Sequence, residues 1–286
     1  MKWKGRTRSS NVEDRRGAGG FGTGGKGAIG GGLGIIVLIV FMLLGGDPGQ
    51  IIDQSQLIDS DNGSAYQQTA EEEELAEFVS VVLADTEYVW EEIFSSENLD
   101  YQEPALVLYS GFVESACGRA GSSTGPFYCP GDGKVYIDLS FFEDLQTFYN
   151  APGDFAMAYV IAHEVGHHVQ NQLGVLDEVQ QLQSRLSQEE YNELSVRLEL
   201  QADYLAGVWA HYAEEMNVLE EGDIEEALNA ASAVGDDRIQ KQTQGYIVPD
   251  SFTHGTSDQR MNWFMKGYEE GDLDQWDTFS INEEDL

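Results

Sequence analysis

The stretch AYVIAHEVGHHVQ, residues 158–170, contains three of the five histidines in this 286-residue chain. Its flanks are apolar on nearly every side, which predicts a buried helix. Residues four apart on a helix point the same way, so His163 and His167 would present two imidazoles on one face. Neutral imidazole is a common metal ligand, and H-E-x-x-H on a helix is typical of zinc metalloproteases. The stretch therefore predicts two ligands of one metal ion.

Glu164 follows His163 by one residue, which places its carboxylate beside the expected metal rather than on it. There it can take a proton from the attacking water and pass it to the leaving amine, so Glu164 is the candidate catalytic base. The alternative is a polar helix face without metal. That arrangement would bury uncompensated polar groups at a cost of about 2–7 kcal/mol each, which disfavours it.

A second stretch, RLELQADYLAGVWA at residues 197–210, offers the carboxylates that the first one lacks. Glu199 and Asp203 lie four residues apart, hence on one face of a predicted helix. Glu199 would complete a His2Glu set around one catalytic Zn2+ and leave its fourth position open for water. Asp203 would accept the free ring N–H of a ligand histidine.

The net charge of −36 is unevenly distributed along the chain. Residues 1–46 carry seven basic and two acidic side chains, a balance of +5, so the other 240 residues carry −41. Such an acidic surface repels phosphates, which excludes nucleic acid as an expected partner. A saline habitat is one explanation for the acidity, because salt screens the self-repulsion.

Residues 27–46, GAIGGGLGIIVLIVFMLLGG, contain no charge and are long enough to span a membrane. A signal peptide is the alternative, but no A-x-A-like cleavage site follows. The sequence predicts a single-pass anchor in the cytoplasmic membrane, with basic residues 1–26 in the cytoplasm. Residues 47–70 would form a linker, and residues 71–286 a metallopeptidase domain with an acidic tail on the extracytoplasmic side.

Cys117 and Cys129 lie in a stretch rich in glycine and turn-forming residues. In an oxidising compartment they predict a local disulfide. Two thiols cannot complete a tetrahedral zinc shell, which disfavours a cysteine-only metal site.

The periodicity predicts an α+β domain that is mostly helical, with a small β-sheet. An amphipathic helix is expected over residues 71–98 and strands over Ala105–Tyr109 and Val135–Leu139. The chain after residue 154 should be almost entirely helical, with capping boxes at Ser187 and Thr256. Val135–Leu139 precedes the helix of the H-E-x-x-H motif, and a resemblance to zincins implies that such a strand forms the upper edge of a peptide-binding cleft.

Several stretches together resemble the neutral zinc metallopeptidase family of single-pass bacterial membrane proteins, and the paired motifs resemble the gluzincin type. The resemblance implies a zincin fold and peptidase chemistry. The matching stretches are RSSNVEDRRG, CGRAGSSTGPFYCPGDGKVYIDLSFF, AYVIAHEVGHHVQ, RLELQADYLAGVWA, AVGDDRIQ and SFTHGTSDQR.

His254 is a candidate donor to the oxyanion of the tetrahedral intermediate. It could equally be a loop histidine that caps the following helix. The expected substrate is a protein or peptide of the cell envelope, hydrolysed by metal-activated water. Two alternatives stay open: an envelope assembly protein with a structural metal, and a zinc hydrolase acting on a non-peptide amide. The sequence does not indicate the oligomeric state.

Overall fold

The structure, a computed structural model, describes residues 1–17, 68–282 and 286. The predicted anchor at residues 27–46 lies outside these ranges, as do residues 18–26 and 47–67 of its predicted flanks. Across the described ranges, none of the helices combines the length and hydrophobicity that a membrane crossing requires. The predicted mostly helical α+β architecture is confirmed.

The described residues form six strands and eight helices. The strands β1 to β6 span Val12–Asp14, Ala105–Tyr109, Phe112–Ser115, Gly118–Gly121, Phe127–Cys129 and Lys134–Asp138. The helices α1 to α8 span Ala70–Ser96, Ser140–Thr147, Asp154–Gln172, Val175–Gln183, Gln188–Glu215, Asp223–Ala233, Asp236–Thr243 and Ser257–Glu270.

The main sheet has the strand order β1-β2-β6-β5, with β5 antiparallel to β6 and the other pairs parallel. The prediction that Val135–Leu139 forms a cleft edge is wrong for Val135 and Tyr136, because β5 pairs with them on one side and β2 on the other. The pairing with β5 does not extend to residues 137–139, where the cleft edge stays a prediction. Val135, Tyr136 and Ile137 are all buried, as expected of a central strand covered on both faces. Within the described chain, the outer strand on this side is β5.

A disulfide joins Cys117, in the turn between β3 and β4, to Cys129 at the end of β5. The predicted local bridge is thus present. It ties the separate β3-β4 hairpin to the outer strand of the main sheet. The hairpin and sheet share a small apolar cluster that includes Val113 and Tyr136.

The local start signals of two helices act as predicted. Ser187 and Thr256 each close a capping box, with Glu190 and Gln259 respectively, at the starts of α5 and α8. Helix α3 begins at Asp154, and Gly153 occupies its cap position without a side-chain hydrogen bond.

Glycines allow three helices to pack with their backbones close together. A Cβ added at Gly267 of α8 would lie 1.9 Å from the carbonyl oxygen of Tyr204, and one at Gly207 of α5 would lie 2.0 Å from that of Phe264. Gly166 of α3 similarly faces α5, where an added Cβ would lie 3.0 Å from the carbonyl oxygen of Ala202. These approaches bring α3 and α8 against the same helix, α5.

Residues 1–17 pack against the domain, whereas the sequence predicts a separate segment over residues 1–26. Strand β1 extends the main sheet by pairing with β2, and Met1 and Trp3 are buried in the core. The Met1 amino group lies 2.6 Å from Oδ1 of Asp154, at the start of α3. The folded domain therefore includes residues 1–17 together with the chain from residue 68.

Candidate metal site

Helices α3 and α5 bring the three predicted metal ligands together. Nε2 of His163 lies 3.1 Å from Oε2 of Glu199, and Nε2 of His167 lies 3.5 Å from Oε1 of the same carboxylate. A zinc ion bound tetrahedrally at about 2.0–2.1 Å separates its ligand atoms by ~3.3 Å. The two nitrogens and the carboxylate thus form a donor set of the type and spacing that fits Zn2+.

Asp203 orients His163 from the opposite side of the ring. Its Oδ1 atom lies 2.9 Å from Nδ1 of His163, as the sequence predicts for this residue. Because an ionised carboxylate only accepts hydrogen bonds, Nδ1 carries a proton toward Asp203, and Nε2 is the ring atom left to bind a metal ion. Burial lowers the pKa of His163, but Asp203 and Glu199 outweigh it and raise the pKa to about 9.

The Asp203 carboxylate is itself fully buried and held by two further side chains. Arg260 of α8 donates from Nε to Oδ2 at 2.8 Å and from Nη2 to Oδ1 at 3.0 Å. The Tyr159 hydroxyl donates to Oδ1 at 2.5 Å. Burial would raise the pKa of Asp203, but Arg260 and His163 hold it below its usual value.

His167 has a different supporting partner on its own helix. Its Nδ1 atom lies 2.8 Å from Oε1 of Gln170, whose side chain is completely buried. The Gln170 amide donates to the carbonyl oxygen of Leu198 at 2.7 Å and to Oε1 of Gln201 at 3.0 Å, both on α5. Gln170 therefore links the orientation of His167 to the helix that carries Glu199.

Glu164 is buried next to the ligand pair, yet its carboxylate has no hydrogen bond or ion pair with any residue of the described chain. A buried carboxylate usually needs partners. Glu164 differs in this respect from Glu199 and Asp203. Both carboxylate oxygens of each of those residues lie close to a histidine or arginine side chain. Its side chain is available to a bound water or substrate.

His254 lies on a loop that Asp236 organises. Oδ2 of Asp236 accepts the backbone N–H groups of Thr253, His254 and Gly255, at 2.7, 2.6 and 3.1 Å. The His254 side chain is half-exposed. Burial opposes its charge, but Glu199 and Asp236 outweigh burial and raise the pKa of His254. The predicted candidate thus lies within electrostatic range of the ligand Glu199.

Four supporting residues are missed when the sequence is analysed by motif alone: Tyr159, Gln170, Asp236 and Arg260. All four fall inside stretches that carry the family resemblance. Helical spacing gives a signal for Tyr159, which precedes His163 by four residues on the same face. Arg238, in the matching stretch AVGDDRIQ, donates from its guanidinium to the carbonyl oxygen of Tyr149 at 3.2 Å.

Comparison with known proteins agrees with this geometry. The family model described as "Putative neutral zinc metallopeptidase" matches residues 1–279. The uncharacterized protein YpfJ of Escherichia coli K12 is 51% identical over 285 residues, covering 98% of this chain and 99% of its own. The uncharacterized protein Rv2575 of Mycobacterium tuberculosis H37Rv is 43% identical over 257 residues, covering 84% and 85%. No solved structure matches the chain significantly.

Proposed function

We propose, from the premise that this chain belongs to the neutral zinc metallopeptidase family, that it is a membrane-held zinc endopeptidase with one catalytic ion. The observation that carries the proposal is the convergence of His163, His167 and Glu199 from two helices onto one point. Three protein ligands leave a fourth position for water or substrate, whereas a structural zinc site fills all four with protein.

Different residues of the chain have different roles in the proposed reaction. Bound zinc would polarise the scissile carbonyl and lower the pKa of a water molecule. Glu164 takes the proton of the attacking water on its uncommitted carboxylate and passes it to the departing amine. Asp203 and Gln170 hold the two imidazoles with their Nε2 atoms toward Glu199.

His254 is proposed to donate a hydrogen bond to the carbonyl oxygen as negative charge develops on it. Three backbone hydrogen bonds to Asp236 fix the loop, which supports such a positioned donor. The neighbouring carboxylates of Glu199 and Asp236 favour the protonated imidazole, and a protonated ring has donors at both nitrogens.

A peptide substrate is supported by the outer strand β5. Tyr128 of β5 contacts His168, the residue after the ligand His167, through its hydroxyl at 3.0 Å from Nδ1. This strand edge therefore runs beside the helix of the metal site. An extended peptide can add to such an edge through main-chain hydrogen bonds, which a substrate without a peptide backbone cannot match.

The proposed location is the extracytoplasmic face of the cytoplasmic membrane, with proteins or peptides of the cell envelope as substrates. The apolar run at residues 27–46 supports membrane attachment. The Cys117–Cys129 disulfide supports an oxidising compartment for the domain.

The test is peptide hydrolysis by the purified full-length chain and its Glu164→Gln variant, on casein and a mixed peptide library. We expect Glu164→Gln to keep its zinc and to lose about 10²–10⁴-fold in rate, as is usual for loss of a general base. A His254→Gln variant should also keep zinc and lose about 10²–10³-fold in kcat. Equal turnover by the wild type and Glu164→Gln would overturn the proposed mechanism.

A further inference from the structure

Arg260 is the one described cation that contacts the buried Asp203 carboxylate, and the contact is bidentate. The guanidinium is almost completely buried as well. A planar guanidinium matches the two oxygens of a carboxylate and fixes its rotation. That rotation decides whether Oδ1 points at Nδ1 of His163. Nη2 of Arg260 also lies 3.4 Å from Nδ1, but both atoms carry protons and cannot bond, so the arginine acts on the ligand through the aspartate.

The position of Arg260 depends on the close packing of α8 on α5. The glycine contacts lie in the second half of α8, where Phe264 and Gly267 meet Gly207 and Tyr204 of α5. Gly267 therefore lies against the residue that follows Asp203. Arg260 also donates to the Tyr159 hydroxyl at 3.2 Å, and Tyr159 in turn donates to Asp203. Three helices therefore meet at one carboxylate.

We infer that Arg260 is a positioning residue for the metal site: it locks Asp203 in the rotamer that fixes the ring of His163. The inference rests on the proposed zinc site. Lysine at this position would keep the positive charge but could not bind both carboxylate oxygens in one plane. Charge alone would therefore not replace the arginine.

The experiment measures zinc affinity of the full-length chain by competition with a chromogenic chelator, without any activity assay. Arg260→Lys should weaken zinc binding by about 10-fold, the low end of the effect of residues that support metal ligands. Arg197→Lys is the matched control. Arg197 lies on α5, and its guanidinium donates to the carbonyl oxygens of Thr278 and Ile281 and to no metal-site side chain of the described chain. The zinc affinity of Arg197→Lys should therefore equal that of the wild type.

A double-mutant cycle separates positioning from general loss of structure. If Arg260 acts through Asp203, then Arg260→Lys should change zinc affinity by less than about 2-fold in an Asp203→Asn background. The pair Asp203→Asn with Arg260→Met removes both buried charges, and it should bind zinc within about 2-fold of Asp203→Asn alone. Additive losses, or wild-type affinity in Arg260→Lys, would overturn the inference. A wild type that binds no zinc would instead refute the proposed function.

The packing of residues 1–17 carries a second, independent inference. Two carboxylates of α1 are buried, and their hydrogen-bond partners in the described chain come from the N-terminal segment. Arg6 binds Asp85 through Nε at 3.1 Å and Nη2 at 2.8 Å. Ser9 and Asn11 donate to Oε1 of Glu87 at 2.6 and 2.9 Å. Without this segment both carboxylates would lack these partners.

The same segment also completes the sheet and the core. The amide of Leu106 donates to the carbonyl oxygen of Asn11, and the amide of Arg15 to that of Leu108, each at 2.8 Å. The indole of Trp3 packs edge-on against Phe78, with ring centroids 5.5 Å apart. Backbone pairing and buried aromatic packing identify the segment as an integral part of the domain.

We propose that residues 1–17 and residues 68–282 lie on the same side of the membrane. A single crossing between them would place the two parts on opposite sides of a hydrocarbon core of about 30 Å. Side chains in direct contact cannot be separated in this way. The proposal replaces the cytoplasmic N-terminus expected from the distribution of basic residues, and it does not depend on the metal site.

Crosslinking in intact cells tests this arrangement in the full-length chain. Arg8 and Glu77 form an ion pair, so Arg8→Cys with Glu77→Cys should react with a short, membrane-permeant bis-maleimide. A protease site inserted between residues 55 and 56 then reveals whether the two fragments stay joined. Arg8→Cys with Glu92→Cys is the control, because Glu92 lies about 22 Å further along α1 at 1.5 Å per residue.

We expect the crosslinked fraction of the first pair in cells to be about equal to that in the purified chain. The control pair should not be crosslinked in either setting. Crosslinking of the first pair only after purification would show that the parts are separated in cells and would overturn the proposal. Failure in both settings would overturn the packing on which it rests.

Discussion

Nε2 of His163 lies 3.1 Å from the carboxylate of Glu199, while Nδ1 of the same ring lies 2.9 Å from the carboxylate of Asp203. Two carboxylates one turn apart on α5 thus contact the two nitrogens of one imidazole. The two carboxylates have opposite surroundings: Glu199 faces the second ligand histidine, and Asp203 faces Arg260. One is available for a metal ion, and the other fixes the ring.

Gln170 should be needed for full zinc affinity. Gln170→Leu removes the acceptor of the His167 Nδ1–H group and its links to α5. We expect zinc affinity to fall by about 10–100-fold. The control is Gln172→Leu, since Gln172 lies on the same helix and contacts Gln102 and His168 but no ligand. Equal affinities of the two variants would contradict the role of Gln170.

Gly267 should tolerate no side chain. The methyl group of Gly267→Ala would meet the backbone of Tyr204, which cannot rotate away. Separating α8 from α5 should cost about 3 kcal/mol or more in unfolding free energy, at the upper end of overpacking effects. Urea denaturation measures the loss, and Glu269→Ala, an exposed change on the same helix, should stay within about 0.5 kcal/mol of the wild type.

Acidification should remove the stabilisation that His168 provides. Burial lowers the pKa of His168, and the neutral ring satisfies both neighbours, donating to Gln102 and accepting from Tyr128. Below about pH 6.5 the unfolded chain binds this proton more readily than the folded one, so the contribution is complete above that pH and is lost as the pH falls.

Comparing the stability of the wild type with that of His168→Phe tests this direction of the pH dependence. The variant keeps the ring but should lose about 1–3 kcal/mol at pH 7.5, because two buried polar partners are left unpaired. Thermal unfolding of both proteins in EDTA should show a smaller gap at pH 5 than at pH 7.5. A gap that does not change with pH would show that the folded and unfolded states bind this proton equally, which contradicts a lowered pKa of His168 in the folded chain.

Local signals account for the elements that the sequence predicts well. Helical spacing identifies α3 and α5 and the residues that they bring together, and capping boxes locate the starts of α5 and α8. A disulfide across 12 residues is a local feature as well. Each of these depends on residues that are near one another in the chain.

Partners that are distant in sequence could not be predicted in this way. Strand order is one such case, because nothing in the run Val135–Leu139 shows that β5 pairs with Val135 and Tyr136. Arg260 contacts Asp203 across 57 residues, through helices held together by glycines rather than by a motif. The distribution of basic residues predicts that the N-terminal segment lies on the inner side of the membrane. Two of its arginines, Arg6 and Arg8, instead pair with Asp85 and Glu77 of α1.

Zinc titration of the full-length chain and its Glu199→Ala variant tests the central claim most directly. The wild type should bind one zinc ion per chain, and Glu199→Ala should lose more than about 100-fold in affinity, since changes to supporting residues alone cost 10–100-fold. Glu193→Ala, an exposed acidic residue of the same helix, should bind zinc as the wild type does. Undiminished zinc binding by Glu199→Ala would contradict the account.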